Sequence, residues 1–101
     1  MQKNADIILE NDTLFLKGDL CFANVMSVYE KSLQQLNAIN TKWILDFSHL
    51  TSSDSSGLAL ILEWIKFAKQ SRRAIQFEHL SRDLLSLARA ASMQVLFESP
   101  E

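Results

Sequence analysis

The chain has 101 residues, 48% hydrophobic and 22% charged, the make-up of one soluble globular domain and not of a disordered or collagen-like segment. Ten Lys+Arg against twelve Asp+Glu leave a formal net charge of −2, so no positive field is present to gather nucleic acid or anionic lipid. Two glycines, one cysteine and two histidines exclude a three-glycine dinucleotide fingerprint, a GxxxxGK phosphate loop and an internal disulfide, and His49 and His79 show no zinc-ligand spacing.

Asp6 to Glu10 and Thr13 to Lys17 read as two short strands joined by Asn11-Asp12, residues that tolerate positive φ in a tight turn. Gly18-Asp19-Leu20 is expected to end this hairpin. From about Asn24 to Leu36 the positions Val25, Tyr29, Leu33 and Leu36, with Met26 beside them, follow the 3.6-residue period of a first helix. Asn37 to Thr41 is a polar break, and Trp43 to Phe47 is apolar on both faces, as an inner strand should be.

Ser48 to Asp54 is expected to be a polar loop, followed by a helix from Leu58 to about Gln70. Leu58, Ile61, Leu62, Ile65 and Ala68 form the stripe expected to face the sheet. Leu60, Trp64 and Phe67 fall roughly opposite, a second apolar stripe that suggests a binding anchor. Arg72-Arg73 leads into a strand over Ala74 to Glu78, with Ile75 and Phe77 on one face. Ser81 is a fitting N-cap for a third helix with Leu84, Leu87, Ala88 and Ala91 as its buried face, and Val95-Leu96-Phe97 is a candidate last strand. This order predicts an α/β fold in one domain over residues 1–101: a small mixed sheet with an N-terminal antiparallel hairpin and three to four helices packed by β-α crossovers.

The first residues lack the apolar core of a signal peptide, and the longest greasy stretch, Leu58 to Ala68, falls short of the ~20 residues that span a bilayer. With the lone Cys21 read as a small buried filler, these features predict a cytosolic protein without direct membrane insertion. Lys66, Lys69 and Arg72-Arg73 read as a solvated face, His49 and His79 as loop residues, and Trp43 as core. A Ser55, Asp54, His49 triad does not assemble on sequence grounds, because neighbouring Asp and Ser side chains diverge and no nucleophile elbow is present. No enzyme, cofactor or metal is expected.

The informative segment joins the inner strand to the second helix. Asp46, Ser48, Leu50, Asp54, Ser55, Gly57 and Leu58 follow, without a gap, a D-[LF]-S pattern, then an apolar residue, then D-[ST]-x-G-L at a helix start. This resembles the signature of the STAS domain family, and Gly18-Asp19-Leu20 is similar to that family's G-E-L after its second strand. Ser53 stands where the family usually has Val or Ile. Read from the residues alone, Asp54 or Ser55 caps orphan N–H groups and Gly57 lets a neighbour come close. The resemblance implies a further role: the hydroxyl at the Ser55 position lies on an exposed knob that a protein partner grips, and in some branches a kinase phosphorylates it. The partner-binding residues so implied are Asp54, Ser55 and Ser56, to which the stripe Leu60, Trp64 and Phe67 is added.

Within the family, Gly57 to Leu62, Phe67-Ala68-Lys69 and Leu84 to Ala88 look most similar to the cytoplasmic STAS subunit of the Mla phospholipid transporter. That resemblance implies binding to the ABC ATPase of the complex beneath the inner membrane, in support of outer-membrane lipid asymmetry. The spelling Asp54-Ser55-Ser56-Gly57 is instead typical of anti-sigma-factor antagonists, which implies the alternative of a phospho-switch whose partner is an anti-sigma kinase. A small enzyme or nucleotide binder is the third class, and it would show an activity that Ser55→Ala abolishes.

Overall fold

The computed structural model describes residues 4–90. The elements run β1 (Ala5–Glu10), β2 (Thr13–Leu20), α1 (Val25–Leu36), β3 (Trp43–Ser53), α2 (Ser56–Gln70), β4 (Ile75–Glu78) and α3 (Arg82–Ala90). Asn11 and Asp12 both adopt positive φ, 51° and 61°, the conformation that a two-residue hairpin requires for its twist to match that of the strands. The four strands lie side by side in chain order. β1 pairs antiparallel with β2, whereas β2 with β3 and β3 with β4 are parallel, so the expected mixed sheet with an antiparallel hairpin and helical crossovers is present. The candidate strand at Val95-Leu96-Phe97, and Ala91, lie outside the described residues.

Alternation along the strands sorts the sheet into two faces. Ile7, Leu14, Leu16, Trp43, Leu45 and Phe47 join one buried cluster with Val25, Val28 and Leu36 of α1, Leu60, Ile61, Trp64 and Ala68 of α2, and Leu84 of α3. The alternate positions Ile8, Phe15 and Ile44 are exposed or half-buried.

Several expectations are corrected. β2 continues through Gly18-Asp19-Leu20, and β3 extends over the polar run Ser48 to Ser53, because Lys17 to Leu20 and His49 to Ser53 pair in parallel. Backbone pairing, which needs no apolar side chains, holds this segment as strand. In α1 the buried positions are Val25, Val28, Ser32 and Leu36, with Met26 exposed.

The largest correction is in α2. Leu60 (2% exposed) and Trp64 (0%) belong to the core and not to an outer stripe, while Leu58, Leu62 and Ile65 are only half-buried. The Trp64 ring lies against Phe47 (6.3 Å between centroids), Phe77 (6.4 Å) and Tyr29 (6.5 Å), and its indole N–H donates to Ser32 Oγ at 2.8 Å. Phe67 stacks on Trp43 at 5.4 Å. At 100° per residue, the apolar positions of α2 span an arc of about 220°, wider than one stripe. The two stripes are therefore parts of one arc, and its Leu60/Trp64 side faces the sheet.

Arg73, expected in a solvated face, sits 4.7 Å over the Trp43 ring and donates to the carbonyls of Ile39 (2.7 Å) and Thr41. It fastens the loop before β3 to the loop before β4. Cys21 is half-buried, not enclosed.

Candidate functional site

Chain geometry brings the starts of α1 and α2 together. Asn24 Oδ1 accepts from the Cys21 N–H (3.0 Å), and Asn24 Nδ2 donates to the Asp19 carbonyl (2.9 Å), which fixes the entry to α1. Across from it, Asp54 Oδ1 accepts from the Ser56 N–H (2.9 Å) and from the Ser56 hydroxyl, while Oδ2 accepts from the Phe22 N–H (3.3 Å). One carboxylate thus satisfies an orphan donor of α2 and also ties that helix start to the loop before α1.

This arrangement decides which residue caps the helix. Asp54 performs it through Ser56, and the Ser55 hydroxyl makes no capping hydrogen bond although Ser55 occupies the N-cap position. Ser55 and Asp54 are exposed and Ser56 is buried. Ser55 therefore presents an oxygen to solvent at the positive end of a 15-residue helix.

Gly57 has a local packing task. A Cβ there would run into Ser53 Oγ and lie 3.1 Å from Leu84 Cδ2. The small side chain at Ser53 closes against this glycine, and its own hydroxyl donates to the Asp54 carbonyl at 2.9 Å.

Beside Ser55 the two helices enclose a groove of about 750 Å³ whose lining includes Phe22, Met26, Tyr29, Ser55, Ala59 and Glu63, with Leu60 at its wall. Phe22 is 85% exposed and Met26 60%, large apolar side chains left in water where the groove meets the start of α1. The lining carries the carboxylates of Asp54 and Glu63 and no Lys or Arg. Burial first, and the Glu63 charge second, raise the Tyr29 hydroxyl above its ordinary value, so it stays a neutral donor at physiological pH.

The six residues singled out from sequence therefore separate. Asp54, Ser55, Ser56 and Leu60 line the groove, whereas Trp64 and Phe67 are not among its lining residues. The Trp64 ring packs in the interior against Phe47 and Phe77, and the half-buried Phe67 stacks on Trp43, so of the stripe only Leu60 reaches the groove. Phe22, Tyr29, Ala59 and Glu63 were not anticipated. Phe22 had one sequence signal, a large apolar residue just ahead of a helix period in which it has no place.

His49 lies in β3 with its ring 5.4 Å from Phe15, on another part of the sheet from Ser55. His79, between β4 and α3, has its Nδ1 at 3.0 Å from Asp46 Oδ2. Neither histidine is among the residues lining the Ser55 groove.

A four-stranded mixed sheet with helices crossing over it, and an exposed hydroxyl at the D-S-S-G start of the middle helix, define a STAS domain. The family described as Mlab, STAS domain, matches residues 5–98, and the chain belongs to it. Among solved structures, SpoIIAA of Bacillus, a cell fate determinant in its phosphorylated form, shares the fold at a TM-score of 0.62 and 18% identity, over 93% of this chain and 86% of that one. No curated protein matches the chain. Among the described residues, no helix is long and apolar enough to cross a membrane.

Proposed function

We propose that the chain is a non-catalytic, cytoplasmic STAS subunit that docks through the Ser55 groove onto the ABC ATPase of an Mla-type phospholipid transporter. On this reading it acts as one domain, supports assembly or activity of the ATPase beneath the inner membrane, and so contributes to outer-membrane lipid asymmetry. Membership of the Mlab STAS family supports the choice of complex. The observation that carries the choice of surface is the uncapped Ser55 hydroxyl beside the exposed Phe22 and Met26. A partner segment suited to this groove is apolar at its centre and carries a Lys or Arg toward Asp54 or Glu63.

Phosphorylation of Ser55 by an anti-sigma kinase is the second reading, favoured by the same solvent-facing hydroxyl and by the D-S-S-G spelling. A phosphate would add about −1.5 to −2 charges, which a helix N-terminus tolerates but an interface already lined by carboxylates does not.

Copurification with the tagged chain separates the two. An ABC ATPase with a membrane permease is expected, bound to unmodified protein and released by Ser55→Glu without loss of the thermal transition. Recovery of a kinase with no membrane component, together with quantitative phosphorylation at Ser55, would replace the transporter reading with the antagonist one.

A further inference from the structure

Away from the groove, on the sheet positions that alternate with the core row, Asp46 of β3 and Glu78 of β4 are direct partners across the parallel pair. Asp46 is 5% exposed and Glu78 half-buried, so two carboxylates face each other where water is partly excluded. Like charges in this position repel. Among the described residues neither forms an ion pair with a lysine or arginine; the one charged-type partner is His79, with Nδ1 at 3.0 Å from Asp46 Oδ2. One ligand atom from each of Asp46, Glu78 and His79 lies within 4.8 Å of the other two.

We propose that Asp46, Glu78 and His79 form a binding site for one divalent metal ion of the zinc type. Imidazole nitrogen selects for zinc-type ions over magnesium or calcium, carboxylate oxygens also ligate zinc, and three protein ligands leave the fourth tetrahedral position open to water. Metal–ligand bonds of about 2.0–2.2 Å place neighbouring donors of a tetrahedral site about 3.3–3.6 Å apart, a few tenths of an ångström beyond the 3.0 Å separating Asp46 Oδ2 and His79 Nδ1. The remaining closure falls to Glu78 and to the His79 side chain, which is 64% exposed and able to turn.

The site is also supported from behind. Asp46 Oδ1 accepts from the Ser48 N–H at 2.7 Å, and Gln76 Nε2 donates to Glu78 Oε2 at 2.6 Å while its Oε1 accepts from Lys42 Nζ at 2.7 Å. Such outer partners orient ligating carboxylates. A metal held by these three side chains fastens β3, β4 and the entry to α3 to one point.

Titration of the chelator-treated full chain with zinc chloride, read by calorimetry, tests this. One equivalent of saturable binding is expected, lost in His79→Ala, weakened at least tenfold in Glu78→Gln and unchanged in His49→Ala. Both informative substitutions change partly exposed side chains, and a retained far-UV spectrum and metal-free thermal transition show that the fold is kept. Absence of saturable binding at millimolar zinc would overturn the site, as would binding that survives His79→Ala or is lost in His49→Ala. Equal binding of magnesium would overturn the assignment of an imidazole ligand.

Discussion

Asp54 and Ser55 are adjacent, yet the fold gives them different tasks: the carboxylate is committed to Ser56 and Phe22, and the hydroxyl is left in water. Sequence identity alone could not divide the roles, since Ser and Asp are both good caps. Gly18 shows a backbone requirement of another kind. Its φ is +91°, and a Cβ there would run into the Asn4 carbonyl, whose oxygen accepts from the Asp19 N–H at 2.8 Å. Gly18→Ala therefore forces either a strained left-handed residue or separation of β1 from β2. A loss of about 2 kcal/mol or more is expected in urea denaturation. An unchanged midpoint would mean that the hairpin relaxes around the methyl group at little cost.

At the scale of elements, α2 determines the core. Removing Trp64 takes away the ring packed among Phe47, Phe77 and Tyr29 and also the donor to Ser32 Oγ, a hydroxyl that itself donates to the Tyr29 carbonyl at 2.6 Å. Trp64→Ala should cost about 3–5 kcal/mol, a large part of the roughly 5–15 kcal/mol that stabilises a domain of this size, and so lower the midpoint of its cooperative thermal transition by more than about 10 °C. An unchanged midpoint with selective loss of partner would restore Trp64 to the interface. The period of α2 was legible in the sequence, but its rotation was not. An apolar arc of about 220° has no unique inward direction until the sheet and the other helices are placed around it. The hairpin turn, the inner strand at Trp43–Phe47 and the Ser81 cap, which accepts from the Leu84 N–H at 3.1 Å, were legible because each is a local device. The second half of β3 was hidden, since a serine-rich run held by pairing with β2 carries no periodic signal. His79 was unreadable as a neighbour of Asp46 for the same reason: 33 positions separate them, and only parallel pairing of β3 with β4 brings them together.

For the whole molecule, partner choice depends on one end of the helical layer against the opposite face of the sheet. The groove holds exposed Phe22 and Met26 beside Ser55, whereas the alternate sheet positions hold Ile8, 40% exposed, near Phe15 and His49. Apolar exposure alone does not distinguish the two surfaces. They differ in what surrounds the apolar groups. At the groove, a helix N-terminus, an uncapped hydroxyl and two carboxylates provide directional contacts around a greasy centre, the composition of an interface hot spot with its polar rim. Phe22→Asp adds a third carboxylate at this rim and removes the largest exposed ring. It should weaken binding of the copurified partner at least tenfold while leaving the thermal midpoint within a few degrees, because Phe22 contributes little buried area to the fold. Ile8→Asp, the matched substitution on the sheet face, should leave that affinity unchanged. The reverse pattern in a binding titration, with loss from Ile8→Asp and none from Phe22→Asp, would move the docking surface to the open face of the sheet and leave the Ser55 hydroxyl without a partner.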